Sequence, residues 1–259
     1  MITKWKLLEV QDLQKHYGKK DNITKALNGV SFDVLSGEFL GIMGPSGSGK
    51  TTLLNCIATI IKPTLGHVLL NGKNISAFNG EELADYRGRR IGYLFQDFEL
   101  LDNLTGKENI LLPLSIHGMD FAKAHAKLDE LSNYLEINDV LNKFPSQMSV
   151  GQKQRVAAAR SLISEPDIVL ADEPTGSLDT RSAKILMKKL QGINRESQRT
   201  ILMVSHDPNT TSFCSRILFI QDGVIFHELR RKHNESREKF YERILHLLAH
   251  LGGGSANVL

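Results

Sequence analysis

No uninterrupted apolar run in this sequence exceeds four residues, whereas a helix that crosses a bilayer needs about 20. A spanning helix is excluded. The opening residues, MITKWKLLEVQ, contain no apolar signal-peptide core, so the chain is expected to stay in the cytoplasm. Cysteine is scarce too. Cys56 and Cys214 stand alone, without metal-ligand spacing, which suits a reducing compartment and marks both as packing residues. Charge of one sign is also missing: 32 Lys and Arg against 29 Asp and Glu leave a net charge of +3, with the basic residues spread along the chain. Neither nucleic acid nor an anionic membrane is implied by charge. Repeats and low-complexity tracts are absent. What remains is an ordinary globular balance, 41% apolar and 24% charged, long enough for one large domain or two small ones.

The most informative stretch is GPSGSGKTT, comprising Gly44, Pro45, Ser46, Gly47, Ser48, Gly49, Lys50, Thr51 and Thr52. It fits the G-x-x-x-x-G-K-[ST] phosphate-loop pattern. Residues 38–43 read as a short strand before it, and Leu53, Leu54, Cys56, Ile57, Ile60 and Ile61 as one apolar helix face after it. Glycines at 44, 47 and 49 let backbone N–H groups turn toward phosphates, and the helix adds its positive N-terminal end. Lys50 would reach the β- and γ-phosphates, and Thr51 would coordinate Mg²⁺. A nucleoside triphosphate site is expected.

Residues 8–34 alternate like short strands broken by polar turns, with Tyr17 in a turn-like HYGKK where its ring could stack on a purine or simply face solvent. Pro63 and Gly66 are expected to stop the first helix, and Asn71-Gly72 to close a hairpin that makes the β layer partly antiparallel. Ile91–Phe95 is another strand. Gln96 follows, where its amide could touch metal or water and feel movement of helices. Thr105 and Glu108 form a capping box, and Phe121, Ala124, Leu128, Leu131 and Leu135 mark a second helix, so residues 97–165 read as a helical insertion. Ser149 and Gln152 cap the helix that closes it. Residues 167–173 form an apolar strand that releases two carboxylates, and ligands gather at that end of parallel strands. Asp172 would hold Mg²⁺ through water, while Glu173 could polarise an attacking water. His206 ends a further buried strand and could reach a γ-phosphate or that water. Asp222-Gly223 closes a last hairpin, and Phe240, Ile244, Leu247, Leu248 and Leu251 give an amphipathic terminal helix, packed on its own domain or on a partner.

With these motifs in this order, the chain resembles the nucleotide-binding subunit of ABC transporters from residue 7 to about 228. The resemblance implies an α/β P-loop NTPase fold with an antiparallel β layer and an inserted helical subdomain. An ATP-binding domain over residues 1–230 would precede a C-terminal helix and tail over 231–259. It makes Tyr17 the adenine-stacking aromatic, Gln96 a link between metal site and permease, and Ser149, Val150, Gly151 and Gln152 the family signature. Asp172 and Glu173 become the metal and base carboxylates, Ser177–Asp179 a loop lining the dimer seam, and His206 the switch histidine. It also implies ATP and Mg²⁺ as ligands, hydrolysis coupled to a membrane permease, and a head-to-tail homodimer at the cytoplasmic face of the membrane. In that dimer each signature helix faces the other subunit's γ-phosphate.

Residues 86–114 and ADEPTGSLD at 171–179 are similar to the branch that serves lipoprotein release, cell division and macrolide efflux. Within it, residues 203–223 and the Phe240-containing tail are similar to the ATPases of bacitracin-type antimicrobial-peptide resistance transporters. Such ATPases pair with a ten-helix permease carrying a large extracellular domain, often beside a sensor histidine kinase. A signalling or mechanical module that moves an extracellular domain without transport remains open, because it needs the same ATP site. One departure stands out. The family writes its signature Leu-Ser-Gly-Gly-Gln, whereas this chain has Met148-Ser149-Val150-Gly151-Gln152. If position 150 needs φ > 0, valine would cost on the order of a few kcal/mol and slow turnover.

Overall fold

The computed structural model describes residues 5–18, 22–116 and 121–252. The strands among them are β1 (Lys6–Tyr17), β2 (Thr24–Leu35), β3 (Phe39–Met43), β4 (Leu65–Leu70), β5 (Lys73–Asn74), β6 (Ile91–Leu94), β7 (Ile168–Asp172), β8 (Thr200–Ser205), β9 (Arg216–Gln221) and β10 (Val224–Arg230). The helices are α1 (Lys50–Ile57), α2 (Gly80–Asp85), α3 (Gly106–Ile116), α4 (Phe121–Leu135), α5 (Val150–Leu162), α6 (Thr180–Glu196), α7 (Pro208–Thr211) and α8 (Arg237–Gly252). They build two sheets. One is antiparallel, in the order β2-β1-β4-β5; the other runs β10-β9-β3-β8-β7-β6 and is parallel except for its edge strand β10. Both tight hairpins have positive φ at their two central residues, Asn71 (49°) with Gly72 (76°) and Asp222 (50°) with Gly223 (72°). That is the twist a two-residue hairpin needs.

The parallel strands are buried on both faces, and their side chains divide by alternation. Val169, Ala171, Ile201, Met203, Ile217 and Phe219 enter the core shared with the helices. Ile168, Leu170, Leu202, Val204, Leu218 and Ile220 enter the core shared with α1 and the antiparallel layer. Cys56 and Cys214 are buried free thiols, and burial pushes the Cys56 thiol up to about 11.

The first helix differs from expectation. It ends at Ile57, six residues before Pro63, because Thr59 turns left-handed (φ 59°) and its N–H bonds the Cys56 carbonyl while that of Ile60 bonds Asn55. This Schellman arrangement satisfies the last carbonyls without proline. Ile60, expected on the buried face, is 52% exposed. Residues 8–34, expected as short strands broken by turns, are instead two twelve-residue strands whose pairing is offset by bulges.

Between β6 and β7 lie α3, α4 and α5. Thr105 and Glu108 exchange side-chain to backbone bonds (2.8 and 3.3 Å) at the start of α3, and Ala124, Leu128 and Leu135 of α4 join the core. The side chains of Phe121 and Leu251 lie outside the described residues. Phe240 and Ile244 of α8 are fully buried in the core of the parallel sheet, and Arg237 at its start donates to Asn209 and Ser212 (3.0 and 3.1 Å). Among the described residues no helix is long and apolar enough to cross a membrane.

Candidate functional site

Register decides what meets at the sheet's carboxyl edge. Met43 pairs with Ser205, Asp172 with Val204, and Leu94 with Ala171, so β3, β8, β7 and β6 release their following loops side by side. The loop after β3 is tightly cast. A Cβ on Gly44 would sit 2.1 Å from the Ile220 carbonyl oxygen, and one on Gly49 (φ 98°) would sit 2.3 Å from that of Ala26. Gly47 (φ 79°) has open space beside it. Gly223 ties the loop to the last hairpin, its N–H reaching the Ser48 carbonyl at 3.2 Å.

Lys50 is buried. Its Nζ donates to the carbonyls of Gly44 and Pro45 (2.9 and 2.8 Å) and lies 3.8 Å from Glu173 Oε1. Burial lowers the Lys50 pKa, opposed by the nearby charges of Glu173 and Asp172. Next to it, Thr51 Oγ1 donates to Asp172 Oδ1 at 3.0 Å. Burial raises the Asp172 carboxyl above its ordinary value, a shift opposed by the Thr51 hydrogen bond. Glu173 takes a left-handed backbone (φ 42°), uncommon for a residue with a side chain. Its N–H bonds the Val204 carbonyl, and its other oxygen, Oε2, is 2.6 Å from His206 Nδ1.

The remaining candidates surround this cluster. Gln96 is exposed just beyond β6; its carbonyl accepts from Ser177 Oγ at 3.3 Å, and its amide packs beside Gly176. Among the described residues no hydrogen bond joins the Gln96 side chain to Thr51 or Asp172. Tyr17 ends β1 opposite Thr24, two residues from the Ala26 carbonyl beneath Gly49, with an exposed ring and Lys15 Nζ 5.0 Å from its centroid. At the start of α5, Ser149 and Gln152 exchange capping bonds (2.9 and 3.3 Å), while Gly151 packs against Ser182 of α6, where a Cβ would come within 2.9 Å. Asp179 caps α6 through the N–H groups of Arg181 and Ser182, and hydrogen bonds from Ser182 hold its carboxyl below the usual range.

Position 150 corrects the sequence expectation. Val150 is the first residue of α5, with no positive φ and 45% of its surface exposed. Valine is unstrained there, because the helix's first turn leaves its side chain in solvent. A residue the sequence reading missed is Gln154, fully buried on α5, whose Nε2 donates to the carbonyls of Phe95 (3.2 Å) and Pro174 (2.8 Å). Its signal was a polar residue at core spacing, three residues after Gly151 and four before Ala158.

These features fit a phosphate chain with a divalent ion. A glycine-cast loop opens onto a helix N-terminus, the Ser48 hydroxyl is buried without a partner, and a hydroxyl beside a carboxylate is the hard-oxygen pair that Mg²⁺ prefers.

The pattern of the ABC transporter family matches residues 27–176. Over 249 residues the chain is 48% identical to the uncharacterized ABC transporter ATP-binding protein YvcR of Bacillus subtilis, with 95% of each chain covered. It is 45% identical over 247 residues to the bacitracin export ATP-binding protein BceA of Halalkalibacterium halodurans, covering 95% of this chain and 97% of that one. The fold matches the dimeric ATP-binding cassette MJ0796, solved in a post-hydrolysis state with ADP and phosphate, at a TM-score of 0.81 and 36% identity. The match covers 87% of this chain and 99% of that one.

Proposed function

This chain belongs to the ABC transporter family and is an ATP-binding, ATP-hydrolysing subunit; from that premise we propose that it drives a permease that protects cells from bacitracin-like antimicrobial peptides. The observation that carries the catalytic part is Glu173, whose two carboxylate oxygens lie beside Lys50 and His206 at one strand end. Similarity to a bacitracin export subunit over nearly the whole chain supports the peptide-resistance part.

In this reading ATP lies along residues 44–52, with backbone N–H groups and the start of α1 toward its phosphates and Tyr17 against adenine. Glu173 draws the proton of a water that attacks the γ-phosphate in line. His206 keeps one Glu173 oxygen in place through Nδ1–H, and with both ring nitrogens protonated its Nε2–H donates to a phosphate oxygen. Lys50 exchanges its loop carbonyls for the β- and γ-phosphates, so a buried cation is ready at little cost in desolvation. Thr51, Asp172 and Gln96 would hold magnesium, which supplies positive charge across the transferred phosphoryl group. Ser149, Val150, Gly151, Gln152 and Asp179 of one protomer face the nucleotide of the other in a head-to-tail homodimer. The ATP-binding domain over residues 1–230, with its insertion at 97–165, sits under the permease at the cytoplasmic face of the membrane and is followed by the C-terminal segment over 231–259.

A groove of about 300 Å³ lies between the end of α1, β6 and α3, lined by Ile60, Phe95, Leu112, Pro113 and Ile116. Ile60 and Ile116 are 52% and 71% exposed, and the Gln96–Thr105 stretch adjoins it. This is the expected seat of the ten-helix permease, with a sensor histidine kinase reached through it and no nucleic acid involved. The test is co-purification of tagged Glu173→Gln protein with MgATP from source membranes, followed by bacitracin survival of a deletion strain. A ten-helix partner that is lost with Ile116→Asp, together with drug sensitivity on deletion, is the expected outcome. A partner with wall hydrolases, or no membrane partner, would contradict the proposal.

A further inference from the structure

Three loops must hold still together for this site to work: those that carry Gln96, Glu173 and His206. The sheet aligns where they begin, but it does not reach the peptide units beyond the strand ends. Glu173 has left the ladder in a left-handed conformation, and such conformations persist only where the surroundings over-determine them. Its own N–H is fixed by Val204 and its carbonyl by Gly176 N–H. The next carbonyl, that of Pro174, is fixed by a side chain from another element, Gln154 of α5.

The same nitrogen also holds the carbonyl of Phe95, the residue before Gln96. Both partners are acceptors, so the amide's NH₂ must face them and both of its hydrogens are used. Its oxygen is left buried without a partner, a poor arrangement if stability alone were served. Two turns further along α5, Arg160 grips the other side of the Gln96 loop, donating to the carbonyls of Phe98 (2.6 Å) and Glu99. Those two residues are also left-handed, at φ 63° and 49°. The helix that Ser149 caps therefore holds both loops at their left-handed points.

We propose that Gln154 is a positioning residue for ATP hydrolysis: its carboxamide locks the peptide entering Gln96 to the peptide leaving Glu173, so that α5 sets where the Glu173 carboxylate points. The inference rests on Glu173 being the group that polarises water. Among the described residues no hydrogen bond joins Gln154 to the phosphate loop or to Asp172; its two donor bonds go to Phe95 and Pro174. Its loss is therefore read in turnover and not in nucleotide affinity.

The test compares wild type, Gln154→Met and Glu173→Gln by thermal melting, by affinity for a fluorescent ATP analogue, and by steady-state kcat and KM for ATP. Methionine keeps the volume and removes both donors. Gln154→Met is expected to bind the analogue and show KM within about twofold of wild type, while kcat falls by about 10- to 100-fold, the range for a misplacement near 1 Å. Wild-type kcat, or a loss shared equally by affinity and kcat, would overturn the proposal. Should Gln154→Met fail to fold, Gln154→Asn is one methylene too short to reach both carbonyls and must give the same split, with wild-type kcat again overturning it. Glu173→Gln separates the two levels. If it abolishes turnover while Gln154→Met leaves kcat unchanged, only this inference fails; if Glu173→Gln itself turns over near wild type, the reading beneath it fails.

Discussion

At position 150 the family pattern has glycine and this chain has valine, a β-branched side chain at the start of a helix. In the structure the backbone there is already helical and the side chain faces solvent, so the exchange stores no strain. Val150→Gly is accordingly expected to leave thermal stability unchanged or lower it by up to about 1 kcal/mol, the helix-propensity difference. A rise of a few kcal/mol would restore the strain account. Any gain in permease-stimulated ATPase from the same variant would then come from the surface that Val150 presents to a partner. Among the left-handed residues, Glu173, Phe98 and Glu99 lie in loops at the sheet's carboxyl edge, where side-chain direction matters more than backbone comfort.

Elements with strong local signals were legible in the sequence. The phosphate loop, the Thr105 and Ser149 capping boxes, both Gly-containing hairpins and the two-faced apolar strands follow from spacing alone, because each is decided by residues within one turn of each other. The end of α1 was not, since a threonine takes the left-handed position that glycine usually marks. Gln154 was not either. Its partners, Phe95 and Pro174, are 59 and 20 residues away in sequence, and only the fold brings them to it. The terminal helix falls between these cases: its apolar face was plain, but whether that face met its own domain or a partner was left open. The structure seats Phe240 and Ile244 in the core of the parallel sheet. Phe240→Ala is expected to cost about 3–5 kcal/mol in urea denaturation, as for a buried aromatic in a close-packed core. A loss below about 1 kcal/mol would mean that α8 is only loosely docked.

Across the whole molecule, the sheets divide the labour. The antiparallel layer and α1 pack on one face of the parallel sheet, and Ala26 and Gly223 brace the phosphate loop from that side. The helical insertion covers the opposite face and carries the Ser149 capping box to the surface, where a second protomer can meet it. Between them, the carboxyl edge brings Lys50, Thr51, Asp172, Glu173 and His206 within one cluster. The most direct test of this account is ATP turnover by purified Glu173→Gln protein beside wild type, with nucleotide binding measured on the same samples. The account predicts intact ATP binding and a fall in kcat of about 10²- to 10⁴-fold, the usual worth of a general base. Hydrolysis close to the wild-type rate would contradict it and move the base elsewhere in the site.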